Sequence, residues 1–202
     1  MSTDPERALA QFFGGRVCLD FANTMDWRTS AAPQELIPDY ATLLKWSGMR
    51  GTLPARTIAR LRAAGATRAA AAALGKAHAL RGEIWQVAEA LRSGATVPLA
   101  PINRRLAGLP PQPRLVRNGA RYMYDLPGNS LAEPLWPILW SLSALLASED
   151  ADRIGCCQAQ GCGWFFVDES PNHARLWCSS KVCGNRERAR RAYAKRRAQA
   201  SA

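Results

Sequence analysis

Four cysteines near the C-terminus stand as two identical C-x4-C pairs, Cys157 with Cys162 and Cys178 with Cys183, separated by fifteen residues. Two close thiol pairs joined by a short insert supply four soft ligands to one zinc ion and leave no open position for a reactive water. The pairs run straight into a basic segment, Arg186-Glu-Arg-Ala-Arg-Arg-Ala-Tyr-Ala-Lys-Arg-Arg197. A structural zinc site that launches a cationic helix is a device for holding that helix against nucleic acid. Phosphate contacts would come from Arg188, Arg190, Arg191, Lys195, Arg196 and Arg197. Asn185 and Arg186, nearest the metal site, are the candidates for base edges, because Asn matches adenine and Arg matches guanine.

Other assignments compete. Cys156 rivals Cys157 as first ligand, and the equal spacing of the two pairs favours Cys157. His173 falls in a polar turn away from the ligand ends and reads as solvent-exposed. Cys18 lies in an apolar stretch and reads as a core thiol. The plainer alternatives are four unrelated buried cysteines, or a zinc–thiolate centre that switches on oxidation. For the basic segment the plain alternative is a solvated tail.

The elements that must position these groups follow from geometry. Residues 164–167 and 175–177 look like short strands, with 168–173 as the turn of a hairpin that brings Cys162 and Cys178 together. Five residues apart on one helix, Cys178 and Cys183 would diverge by about 140° around the axis. Cys178 must therefore precede the helix, with Ser179 as its N-cap and Cys183 in the first turn. Knuckle, hairpin and ligand-bearing helix describe a treble-clef-like finger. Trp164 and Trp177 are expected to pack over the metal, and Tyr193 to lie on the helix.

The chain has 202 residues, 48% of them hydrophobic, and a net charge of +11. Residues 151–202 carry ten basic and four acidic side chains, so a quarter of the chain holds more than half of the excess charge. That asymmetry points to a polyanionic partner. No apolar run approaches the length of a membrane span, and the N-terminus lacks the pattern of a secretory signal. A cytoplasmic protein is expected, and a reducing compartment favours zinc over disulfides.

The first 150 residues read as a helix-rich domain. Residues 38–46 form an amphipathic helix whose inner face carries Tyr40, Leu43, Leu44 and Trp46, with Gly48 and Gly51 ending it. The Ala- and Leu-rich stretches 54–65 and 67–94 predict two or three helices interrupted at Gly65, Gly75 and Gly82. Residues 98–113 give a short helix and a loop, and Asn118-Gly119 marks a hairpin within 114–125. Residues 131–146 are apolar enough to be the central helix. In the segment 12–24, either a short strand or a buried helical turn, the polar residues Arg16, Asp20, Asn23 and Thr24 either line a ligand pocket or turn the chain. No phosphate-binding glycine loop, Ser-His-Asp set or pair of catalytic carboxylates emerges, and His78 and His173 are the two histidines. No enzymatic activity is expected.

The run Cys157-x4-Cys162-Gly-Trp-Phe-Phe-Val-Asp168, then Arg175-Leu-Trp-Cys-Ser179 and Cys183-Gly-Asn-Arg186, closely resembles the CGNR zinc finger. Gly15-Arg-Val-Cys-Leu-Asp-Phe-Ala-Asn-Thr24 resembles the opening of the ABATE domain that usually precedes it. The resemblance implies a stress-related bacterial transcription regulator, with a DNA-binding finger and an N-terminal domain that senses a small ligand. Its four zinc ligands carry over to Cys157, Cys162, Cys178 and Cys183, and its Asn-Arg pair to Asn185 and Arg186. Leu176 stands where the family often has a second basic residue.

The expected architecture is α+β: a helix-rich domain with a small β-hairpin over 1–150, then a treble-clef-like four-cysteine zinc finger with a basic helix over 151–202. One structural Zn2+ and DNA are the expected cofactor and partner; RNA or an acidic protein is the alternative partner. A single finger buries only about 600–1,000 Å² on DNA, so a homodimer or a second DNA contact is also expected.

Overall fold

Two of the helices in this chain start at a side-chain cap and end at a left-handed glycine. The computed structural model describes residues 5–63, 65–110, 114–125, 128 and 130–200. Helices α1 (Pro5–Leu9) and α2 (Val17–Ala22) come first, then β1 (Met25–Asp26) pairs antiparallel with β2 (Gln34–Glu35). In α3 (Tyr40–Arg50) the Asp39 carboxylate accepts the Thr42 N–H at 2.7 Å, and Gly51 closes the far end in a left-handed conformation. After α4 (Ala55–Arg62), α5 (Arg68–Ser93) starts where the Thr67 hydroxyl accepts the Ala70 N–H at 3.2 Å. Then follow α6 (Leu99–Ala107), the hairpin β3 (Arg114–Asn118) and β4 (Arg121–Asp125), α7 (Trp136–Leu146), β5 (Ile154–Cys156), β6 (Phe165–Val167) and α8 (Asn185–Ala200). The described strands form three two-stranded antiparallel sheets. No helix among the described residues is long and apolar enough to cross a membrane.

The short helix α2 sits at the centre. Its Cys18, Leu19, Phe21 and Ala22 are fully buried, and it packs against α7, α5 and β6. Burial pushes the Cys18 thiol up to about 12, so it stays an inert core group. The expected inner face of α3 is in place: Tyr40, Leu43, Leu44 and Trp46 are all buried, and Trp46 meets Phe21 edge-on at 5.4 Å. Central helix α7 buries Ile138, Leu139, Leu142 and Leu145.

Strand β6 belongs to two cores at once. Phe165 and Val167 join the main core with Ile154, while Trp164 just before the strand and Phe166 within it pack with the four cysteines. This is the two-residue alternation of a strand applied to two hydrophobic clusters. Gly155, opposite Phe166, leaves the space that ring fills: a Cβ there would lie 2.4 Å from it.

Of the two readings of segment 12–24, the buried helical one holds, as α2. Several sequence expectations are corrected. Gly48 lies inside α3, and Gly75 and Gly82 lie inside α5, which runs unbroken for 26 residues. A Cβ added at either α5 glycine would meet no described atom within 4 Å, so each glycine costs only backbone entropy, about 1 kcal/mol, which the Ala- and Leu-rich flanks outweigh. Gly65 does separate α4 from α5. In the β3–β4 hairpin, Asn118 pairs with Arg121, so the turn is Gly119-Ala120, one residue later than expected. Finally, β6 pairs with β5 rather than with residues 175–177.

Because space is open at both positions, the double substitution Gly75→Ala/Gly82→Ala should stabilise the protein by about 1–2 kcal/mol. Urea denaturation monitored by circular dichroism would show the midpoint rising.

Candidate metal centre and basic helix

The hairpin β5–β6 carries the first two thiols. The Cys157 N–H donates to the Trp164 carbonyl at 2.8 Å, closing a knuckle in which the Cys162 N–H donates to the Ala159 carbonyl at 2.9 Å. Gly163 leaves the knuckle with φ +65°, and a Cβ there would lie 2.4 Å from Thr29. Glycine meets both the turn and the close approach. The second pair comes from the other side. The Ser179 hydroxyl accepts the Val182 N–H at 3.3 Å, a π-turn spans Ser180–Gly184, and α8 begins at Asn185. Cys178 thus precedes the cap and Cys183 lies in the turn that starts the helix, as the spacing predicts.

All four sulfurs lie within 4.8 Å of one another, and the residues are at most 5% exposed. Three of the separations are 3.9 Å (Cys162–Cys178), 3.4 Å (Cys178–Cys183) and 3.7 Å (Cys183–Cys162). Four ligands at the zinc–sulfur distance of about 2.3 Å stand about 3.8 Å apart in a tetrahedron. The donor set and its spacing therefore fit one structural zinc ion. The thiols crowd each other: hydrogen bonding with Cys157 pushes Cys162 and Cys178 up, and Cys157, bonded first to Cys162, is held down. The rivals lie outside the cluster. The Cys156 sulfur faces the Arg28 guanidinium at 3.8 Å, and the exposed His173 meets the Asp168 carbonyl at 3.2 Å.

Residues 168–177, expected to turn and return as a strand, form a loop organised by two side chains. The Asp168 carboxylate accepts the N–H groups of Ser170 and Arg175 and the Ser170 hydroxyl. Burial pushes that carboxyl up, but these bonds outweigh it and hold it below the usual carboxylate range. Arg175 donates to the carbonyls of Trp177 (3.0 Å), Val167 (3.1 Å), Phe13 (3.1 Å) and Cys178, with its guanidinium 4.1 Å from the centre of the Phe166 ring. One cation thus satisfies the carbonyls that a second strand would have paired. Trp164 and Trp177 pack on the cysteine cluster, as expected.

The finger is stitched to the first domain. Asn23 acts as a one-residue strand: its Nδ2 donates to the Phe165 carbonyl at 2.8 Å and its Oδ1 accepts the Phe165 N–H at 2.9 Å. Arg28 donates to the Gly163 carbonyl at 2.9 Å, and the Trp164 indole to the Met25 carbonyl at 3.1 Å. Arg186 stacks 4.3 Å over Trp27, itself left-handed at φ 52°, and reaches the Cys183 sulfur at 3.5 Å. Trp27 and Arg28 escape a reading by motif, their one signal being an aromatic and cationic pair in a polar loop, while Arg175 stands within the finger motif without its role being legible there.

The four N-terminal candidates do not converge. Asp20 accepts from the Gly14 N–H (2.8 Å) and Arg50 (2.7 Å), and Asn23 holds Phe165. Thr24 donates to the Phe21 carbonyl (2.7 Å) and accepts from Arg81 (3.0 Å), while Arg16 pairs with Asp150 and Glu169. Each polar group is engaged by the protein itself.

Along α8, Glu187 is buried, accepts the Gln160 N–H at 3.2 Å, and is held below its usual range by Arg190. Asn185 donates to the Lys181 carbonyl at 2.9 Å and accepts from Arg188. Asn185 and Arg186 thus serve to seat the helix. Every position from 188 to 200 is exposed, including Arg188, Arg190, Arg191, Lys195, Arg196 and Arg197.

Comparison with known families matches residues 15–149 to ABATE, described as "Putative stress-induced transcription regulator", and residues 153–196 to the CGNR zinc finger. Comparison with curated proteins finds no match.

Two outcomes test this centre. Metal analysis should find one zinc per chain in wild type and in Cys156→Ser, and loss of zinc in Cys157→Ser. Asn23→Ala strands two buried backbone groups of Phe165 and should cost about 3 kcal/mol in urea denaturation with zinc bound.

Proposed function

The chain belongs to the ABATE family and ends in a CGNR zinc finger, and on that footing we propose that it is a transcription regulator that binds duplex DNA through α8. Its first domain serves as the sensor for a small ligand. The observation that carries the DNA reading is a basic helix, seated by its first turn on a zinc-fixed base and uncovered along the rest of its length. At 1.5 Å per residue its 16 residues span about 24 Å. A helix of about 10–12 Å diameter enters the major groove of about 12 Å.

At 100° per residue, Arg188, Arg191 and Lys195 share one flank and Arg190 and Arg197 another, with the wider arc of about 215° between them on the side of Arg196. Two cationic flanks suit the two phosphate walls of a groove. Arg196 stands between them beside Ala189 and Ala192, whose small side chains let it approach base edges. Base contact therefore falls to Arg196, since Asn185 and Arg186 are taken up in seating the helix. Zinc contributes no chemistry in this reading beyond fixing where α8 starts.

Fluorescent duplex DNA titrated at several salt concentrations tests this. Zinc-loaded wild type should bind with steep salt dependence, and Arg191→Ala/Lys195→Ala/Arg196→Ala should reduce the log–log slope by about two to three. No binding at low salt, or an unchanged slope in the triple variant, would overturn the DNA reading. Preferential competition by structured RNA would reassign the helix to RNA.

A further inference from the structure

We infer that the cleft enclosed by α2, the end of α3, β4 and α7 is a binding site for a flat apolar molecule carrying a carboxylate, an aromatic acid in its simplest form. This deepens the reading of the first domain as a sensor and rests on it; the DNA reading stands apart. The cleft has a volume of about 560 Å³, within the range of small-molecule sites, and Val17, Met123, Tyr124 and Trp140 form its apolar walls. Tyr124 meets Trp140 edge-on at 5.3 Å and 84°, which makes a rigid aromatic corner.

Thr52 at the cleft donates its hydroxyl to the Ser47 carbonyl at 3.2 Å, and Arg50 supplies the charged donor. Arg50 is held by its Nε, which donates to the buried Asp20 carboxylate at 2.7 Å, and its guanidinium lies 5.5 Å from the centre of the Phe12 ring. Its two terminal amino groups make no hydrogen bond to any described residue. They form a pre-oriented fork of the kind that grips a carboxylate in two places. The Ser141 hydroxyl is taken up by Cys18, whose N–H it accepts at 3.1 Å, so the anion-binding donors at the cleft are those of Arg50. An apolar slot with one oriented guanidinium fork selects a ligand with an apolar body and an accepting, anionic end.

Hydrogen bonds connect this cleft to the finger. Arg50 holds Asp20, Asp20 accepts the Gly14 N–H, and the Gly14 carbonyl accepts the Val167 N–H of β6 at 3.0 Å.

The test uses the full zinc-loaded chain without DNA, and 1-naphthoate as probe, followed by tryptophan fluorescence and calorimetry. One equivalent should bind, at least about tenfold more tightly than 1-naphthalenemethanol, which has the same ring system without the charge. Ala144→Phe, which fills the cleft from an exposed position on α7, should abolish binding with circular dichroism and zinc content unchanged. Arg50→Lys keeps a cation beside Asp20 but removes the fork, and should weaken binding by about tenfold or more. The α8 triple variant should bind the probe as wild type does. Absence of binding overturns the site, and equal affinity for acid and alcohol overturns its ligand class. Binding that survives Ala144→Phe but is lost in the α8 variant is ion pairing with the basic helix and also overturns the site.

Discussion

Four sulfurs packed within 4.8 Å in a buried pocket form the constraint on which the C-terminal half depends. Thiolates at that distance repel one another, and burial raises the cost of each charge. A dication at their centre offsets two of the four charges at the tetrahedral spacing they already hold, and Arg186, 3.5 Å from the Cys183 sulfur, offsets a third. Each consequence follows from where a ligand must stand. Cys157 and Cys162 fix the knuckle between β5 and β6, and Cys178 forces the chain to arrive before the Ser179 cap. Cys183 then sets the first turn from which α8 departs. A basic helix of this composition has no apolar stripe with which to anchor itself, so its direction is supplied from its base.

That base is not a free module. The two family matches end at 149 and begin at 153, yet the hydrophobic core runs through the junction. Phe165 and Val167 are core residues of the first domain, while Phe166 and Trp164 roof the metal centre. Asn23 completes the arrangement by supplying both the donor and the acceptor that Phe165 would otherwise find on a neighbouring strand. A buried backbone pair satisfied by one amide side chain cannot be shifted without stranding both groups. The finger therefore moves with α2.

What the sequence disclosed and what it hid divide along a physical line. Metal ligands were legible because zinc demands fixed residue types at short spacing. The Ser179 cap and the inner face of α3 were legible because local hydrogen bonds and helical period set them. The pairing of β6 was not. Residues 154–156 and 175–177 are both short runs able to flank the knuckle, and the choice rests on Arg175, whose guanidinium satisfies carbonyls of its own loop, of β6 and of residue 13. Likewise, Asn185 and Arg186 carry the right chemistry for bases, but the contact that occupies Arg186 comes from Trp27, 159 positions away in the chain. Asp20, Asn23 and Thr24 were found as a polar cluster. Only Asp20 lies on α2, Asn23 follows its end and Thr24 lies beyond, so the cluster disperses into three separate anchors.

The location of Asp20 gives the link between the two halves its character. This carboxylate is nearly inaccessible, holds Arg50 with one oxygen and the Gly14 N–H with the other, and through Gly14 is bonded to β6. Burial pushes its pKa up, and the Gly14 N–H and Arg50 counter only part of that push. Withdrawing Arg50 would leave a buried charge without its counterion, a far larger penalty than an exposed ion pair would incur. The Gly14 N–H would then face a carboxylate driven towards protonation, and its bond would weaken with it. The bonds from the cleft to the finger strand thus strengthen or fail together. The Asp20 end of the ion pair with Arg50 is buried, so salt screens it less than it would a row of surface charges.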